Sequence, residues 1–128
     1  VGSSNINVTS LGRWIVSGNN GTHIVKIVKA SDGSDVAGAS VEVNTAGATA
    51  GAFKYVALAS PVALNANTAY YIVSQEVSGG DQWYNDNTAL TGTSVATING
   101  SIFWHTTDNV WMTGAAGTRS FVPVSFRY

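Results

Sequence analysis

Residues 79–86 read Gly-Gly-Asp-Gln-Trp-Tyr-Asn-Asp, and chemistry concentrates there. Two glycines permit a sharp turn. Trp83 and Tyr84 then sit among Asp81, Gln82, Asn85 and Asp86, all hydrogen-bonding types. An indole ring accepts the C–H face of a sugar, while amides and carboxylates satisfy its hydroxyl edges. Trp83 is read as a stacking platform; the competing reading folds it back over one end of the domain. Asp81, Gln82 and Glu76 are read as hydroxyl partners, with Asn85 beside them. Trp104 or Trp111 is read as a second subsite, with His105 next to Trp104. In SIFWHT, successive side chains point oppositely. Phe103 is the more natural core residue, which leaves Trp104 outward.

The acids admit other chemistry. Asp and Asn oxygens at close spacing suit a hard cation, so structural calcium stays open beside hydroxyl binding and a plain solvated turn. Glycosidic acid–base work needs two carboxylates facing each other across a cleft, and few acids stand in convincing places. His105 has no second histidine at ligand spacing, since His23 lies far along the chain; no metal ligand and no catalytic residue is assigned. Arg13 and Arg119 are the residues that could grip an acidic sugar, though each reads better as a strand-edge residue. No Gly-x-Ser-x-Gly elbow, cysteine nucleophile or phosphate-cradling glycine loop is present.

The elements that must position these residues are strands. Residues 69–77 form the best of them, apolar, aromatic and β-branched without Gly or Pro. Strands are also expected at 5–16, 23–30, 36–43 and 52–58, with a short edge piece at 62–64 after Pro61. Gly12 is read as a bulge or a close approach of backbone. Asn99-Gly100 is a strong hairpin signal and is expected to join 94–98 to 101–106. Strands at 110–113 and 121–128 close the chain. Nine or ten short strands without helical periodicity predict an all-β fold, an antiparallel β-sandwich with the jelly roll as one form of it.

The 128 residues fit one domain, 1–128, with no repeat or linker dividing them. Hydrophobic residues make up 45% and charged residues 10%, well below the ~25% charged that is ordinary for soluble domains. Such a surface binds through hydrogen bonds and ring faces. The net charge of −1 leaves no electrostatic footprint for nucleic acid, and no apolar run reaches the ~20 residues of a membrane span. The absence of cysteine excludes disulfides and Cys-ligated metals. The chain opens on Val1 without Met, which reads as a piece of a longer exported protein.

LGRWIVSG at 11–18, THIVKIVKASDGSDVAG at 22–38, FKYVALASPVALNANTAYYIVSQE at 53–76 and VPVSFRY at the end carry a resemblance. The pattern resembles a family of bacterial β-sandwich carbohydrate-binding modules, accessory domains of secreted polysaccharide-degrading enzymes. It includes Pro-Val-x-Leu-x-x-x-Thr-x-Tyr from Pro61 to Tyr70 and covers nearly the whole chain. Asn67 departs from it, standing where such segments often carry Gly. The resemblance implies a non-catalytic, extracellular domain that binds polysaccharide or oligosaccharide beside a linked catalytic domain. The other readings are a structural or adhesive spacer of a surface protein and, further off, a small glycoside hydrolase or lyase.

Overall fold

The computed structural model describes residues 1–82, 88–89, 92–108, 110–116, 119–120 and 124–128. Among the described residues ten strands follow one another: β1 (Ile6–Trp14), β2 (Thr22–Lys29), β3 (Asp35–Asn44), β4 (Phe53–Leu64), β5 (Tyr70–Ser74), β6 (Thr88–Ala89), β7 (Gly100–His105), β8 (Val110–Ala116), β9 (Arg119–Ser120) and β10 (Val124–Arg127). Among the described residues there is no helix. The chain is an all-β sandwich. One antiparallel sheet runs β10-β1-β4, the other β3-β2-β5; β6 pairs with β9, and β7 with β8.

The two larger sheets pack through one apolar layer. Ile6, Val8 and Leu11 of β1 meet Val25 and Ile27 of β2, Ala39, Val41 and Val43 of β3, and Leu58 and Leu64 of β4. Alternation explains most of this set, because every second side chain of a strand faces the same way. In β2 the inward set is His23, Val25 and Ile27. In β5, Tyr70 and Ile72 pack against the core, which leaves Tyr71 on the outward phase.

β1 breaks the rule once, with consequences for the site. Its ladder with β4 is irregular between Val8 and Ser10, where Val8 pairs with Val62 but Ser10 pairs with Ala57. The buried set changes there from Ile6 and Val8 to Leu11, Arg13 and Ile15. The bulge expected at Gly12 therefore lies earlier. Pro61 falls in the excess of β4 residues at this irregularity, outside the paired register. A proline fits there because it has no N–H to give a ladder.

Gly12 answers to close approach instead. A Cβ there would lie 2.7 Å from the Tyr55 ring. The ring crosses β1 so that the Tyr55 hydroxyl donates to Ser125 Oγ at 2.8 Å, and the Arg127 guanidinium covers it at 3.9 Å. Asn67 takes φ 53°, the left-handed region that Asn tolerates better than most residues, so the departure from Gly costs little.

The hairpin expected at Asn99-Gly100 does not form. Residues 94 and 95 turn, an isolated bridge joins Thr93 to Ala96, and β7 begins at Gly100. It pairs forward with β8, Trp104 opposite Trp111 and Phe103 opposite Met112. Asn-Gly signals a tight turn only where both flanking runs can pair, and residues 97–98 stay outside the strands.

A buried charge cluster and an exposed aromatic hairpin

The phase change in β1 carries Arg13 into the interior, at 1% exposure. Arg13 donates Nε to Glu76 Oε1 at 2.9 Å and Nη2 to Oε2 at 2.8 Å, a bidentate pair. Its Nη1 reaches the Trp14 carbonyl and Asn19 Oδ1. Ser74 donates to the same Glu76 carboxylate at 2.6 Å. His23 Nδ1 lies 3.1 Å from the Gln75 carbonyl and 3.2 Å from Glu76 Oε2. On its far side, Nε2 lies 2.9 Å from Asp81 Oδ2.

Asp81 is 4% exposed and closes the cluster. It accepts the Asn20 N–H at 2.8 Å, the Gly21 N–H at 2.9 Å and the Thr45 hydroxyl at 2.6 Å, besides facing His23. A carboxylate has about four acceptor sites, and those of Asp81 and Glu76 are filled from within the chain. The expectation that these two acids read sugar hydroxyls therefore changes: they anchor the segment after β5 to β1 and β2. Asn19 adds a further tie, its Oδ1 accepting the Val16 N–H and its Nδ2 donating to the Gln82 carbonyl.

Burial alone would raise the Asp81 pKa. The Thr45 hydroxyl, the Asn20 N–H, His23 and the Gly21 N–H together outweigh it and hold the carboxyl well below the usual range. A depressed folded-state value contributes stability above the ordinary carboxylate pKa of about 4, and that stability is lost as pH falls below it. We expect Asp81→Asn to be less stable than wild type near neutrality and to show a flatter acid limb. Urea midpoints from about pH 7 to about pH 2.5 check this. Parallel acid limbs would assign the acid sensitivity to other groups.

The anchored segment frames a cleft of about 330 Å³ lined by Ser17, Gly18, Asn19, Asn20, Gly21 and residues 79–82. Gln82 is exposed at its edge. Trp83 and Asn85, the next candidates along the chain, lie outside the described residues.

The other candidates sit on the β7–β8 hairpin. Trp104 and Trp111 are cross-strand partners whose rings meet edge to face at 4.9 Å. Trp111 also packs on Tyr71 at 5.7 Å and against Gly33. Trp104 is 42% exposed. Phe103 does not enter the core as expected; it is 44% exposed on the opposite face of the hairpin, opposite Met112. A two-stranded ribbon joined to neither sheet has two outer faces, and Trp111 packs its face on Tyr71 and Gly33 of the body. His105 shares the Phe103 face, at 6.4 Å ring to ring, and pairs with Asp108 at 2.8 Å.

Gly33 has φ 73°, and an added Cβ would lie 2.8 Å from Trp111 Nε1. Gly33→Ala should cost about 1–2 kcal/mol for the left-handed backbone and also push Trp111 off its seat. A lower Tm together with a changed near-ultraviolet circular dichroism band checks this; an unchanged aromatic band would mean the ring yields elsewhere.

The structure thus joins Glu76 to Asp81 through His23, and Trp104 to Trp111. It does not join the two groups. The cleft adjoins the start of β2, whereas Gly33 and Trp111 adjoin its end, where the Gly33 N–H bonds the Lys29 carbonyl. Six residues of strand at about 3.3 Å each put the two regions roughly 20 Å apart. Arg13 and His23 are the cluster members that sequence reasoning missed. His23 had a signal, since it shares the phase of Val25 and Ile27. Arg13, expected at a strand edge, is buried instead; it shares the phase of Leu11 and Ile15 but not that of Ile6 and Val8, so alternation along this strand points both ways. Among the described residues, no group of three or more His, Asp or Glu is arranged to hold a metal ion. No family model, curated protein or solved structure matches the chain.

Proposed function

We propose that this chain is a non-catalytic carbohydrate-binding module that keeps a linked catalytic domain of a secreted enzyme close to its polysaccharide. One observation carries the reading: Trp104 presents a half-exposed ring braced from behind by Trp111, which is itself braced by Tyr71. A ring braced on one side loses less freedom when a sugar stacks on its open side, so more of the stacking energy appears as affinity. The low charge of the chain favours a ligand recognised by ring faces and hydroxyl bonds. The commitment of Glu76 and Asp81 to internal donors favours binding over hydrolysis, because glycosidic catalysis needs two carboxylates open to substrate. The amide-lined cleft, with Gln82 at its edge and Trp83 one residue further on, offers a second, separate contact for a long chain.

Affinity electrophoresis through gels holding soluble neutral and acidic polysaccharides tests the proposal. Retardation by at least one polymer, relieved by its free oligosaccharide, is the expected result. Unchanged migration in every gel, with no pull-down on insoluble polymers, would favour the spacer reading. Release of reducing ends from a retarding polymer would favour an enzyme.

A further inference from the structure

We infer that His23 is an imidazolium latch: protonated on both ring nitrogens it ties Glu76 and Asp81 to the start of β2, and loss of one proton loosens residues 79–82. The inference stands apart from the glycan reading, since it concerns the fold's own attachment of that segment.

The argument is one of donors and acceptors. Nδ1 faces the Gln75 carbonyl at 3.1 Å and Glu76 Oε2 at 3.2 Å; Nε2 faces Asp81 Oδ2 at 2.9 Å. All three are oxygen acceptors. A neutral imidazole carries one N–H and one lone pair, so either tautomer sets a lone pair against an oxygen lone pair. Only the cation donates on both sides. Charge balance agrees. Among the described residues, the charged groups facing His23 are Glu76 and Asp81, while Arg13 reaches the same Glu76 from β1. These side chains are at most 11% exposed. Two carboxylates against Arg13 alone leave a buried negative charge; with the imidazolium the cluster is neutral. Buried charge without a partner is costly, so the neutral arrangement holds the segment more firmly.

Deprotonation should act first at Asp81, whose contact joins the imidazole to the 79–82 segment. The amides of Asn20 and Gly21, which donate to Asp81, report it directly. The experiment is a pH titration of the isotopically labelled chain by NMR, followed on the His23 ring and on hydrogen exchange of these two amides. The acidic form should show two ring N–H protons. As His23 loses a proton, exchange at Asn20 and Gly21 should quicken at least about tenfold beyond its intrinsic pH dependence, with the midpoint of the His23 ring. Amides of Val25 and Ile27 should stay protected. In His23→Gln, the fast rates should hold at every pH without a midpoint. One ring N–H throughout, or Asn20 and Gly21 exchange indifferent to the His23 titration, would overturn the inference. Should His23→Gln fail to fold, the wild-type titration decides alone.

Discussion

Glu76→Ala should lower unfolding free energy by about 3–5 kcal/mol, the loss expected when one member of a buried ion pair is removed. The size follows from what remains. Arg13 is 1% exposed and cannot turn to water without opening the end of the sandwich. Among the described residues its charge would keep only the Trp14 carbonyl and Asn19 Oδ1. The Ser74 hydroxyl would lose its acceptor as well. A double replacement separates this cost from the value of the pair itself. Arg13→Met with Glu76→Leu removes both charges and keeps apolar volume, and such exchanges are often neutral or stabilising. We therefore expect the double variant to recover much of what Glu76→Ala loses. Equilibrium denaturation of both proteins measures it. A loss below about 1 kcal/mol for Glu76→Ala would put the pair in the class of surface ion pairs, against its burial.

The same cluster marks where reading the sequence succeeds and where it stops. Local signals are short-range, and what depends on them is legible: strands form close to the expected 5–16, 23–30, 36–43 and 52–58, and the chain is all-β. Pairing between distant segments is not local. The Asn99-Gly100 signal points to the wrong partner, because β7 pairs forward with β8 and sets Trp104 on Trp111. A register irregularity is less legible still. The shift between Val8 and Ser10 moves every later side chain of β1 to the other face, which is how an arginine comes to share the interior with Leu11. Asp81 and Glu76 stood out as chemically interesting for a sound reason. Apart from Ser74, their donors, Arg13, His23, Thr45 and the Asn20 and Gly21 amides, come from 36 to 63 residues away, so their saturation shows only in the folded state.

Trp104→Ala should weaken polysaccharide binding roughly five- to two-hundred-fold, the range that about 1–3 kcal/mol of lost stacking produces at one site. The fold should survive. Trp104 is exposed on a hairpin outside the two core sheets, and its cross-strand contact with Trp111 contributes only about 0.5–1.5 kcal/mol. Trp111→Ala differs in kind. It removes the support behind Trp104 and the contact with Tyr71, so it should lower both affinity and Tm. Phe103→Ala is the control: equal in exposure, on the same strand, but on the other face of the hairpin. If the platform is Trp104, Phe103→Ala should bind within about twofold of wild type, a difference of well under 1 kcal/mol. Calorimetric titration of all three variants with an oligosaccharide of the retarding polymer separates these outcomes. Wild-type affinity in Trp104→Ala, with binding lost in Trp83→Ala, would move the platform to Trp83. Equal losses in Trp104→Ala and Phe103→Ala would mean that the hairpin is gripped from both faces.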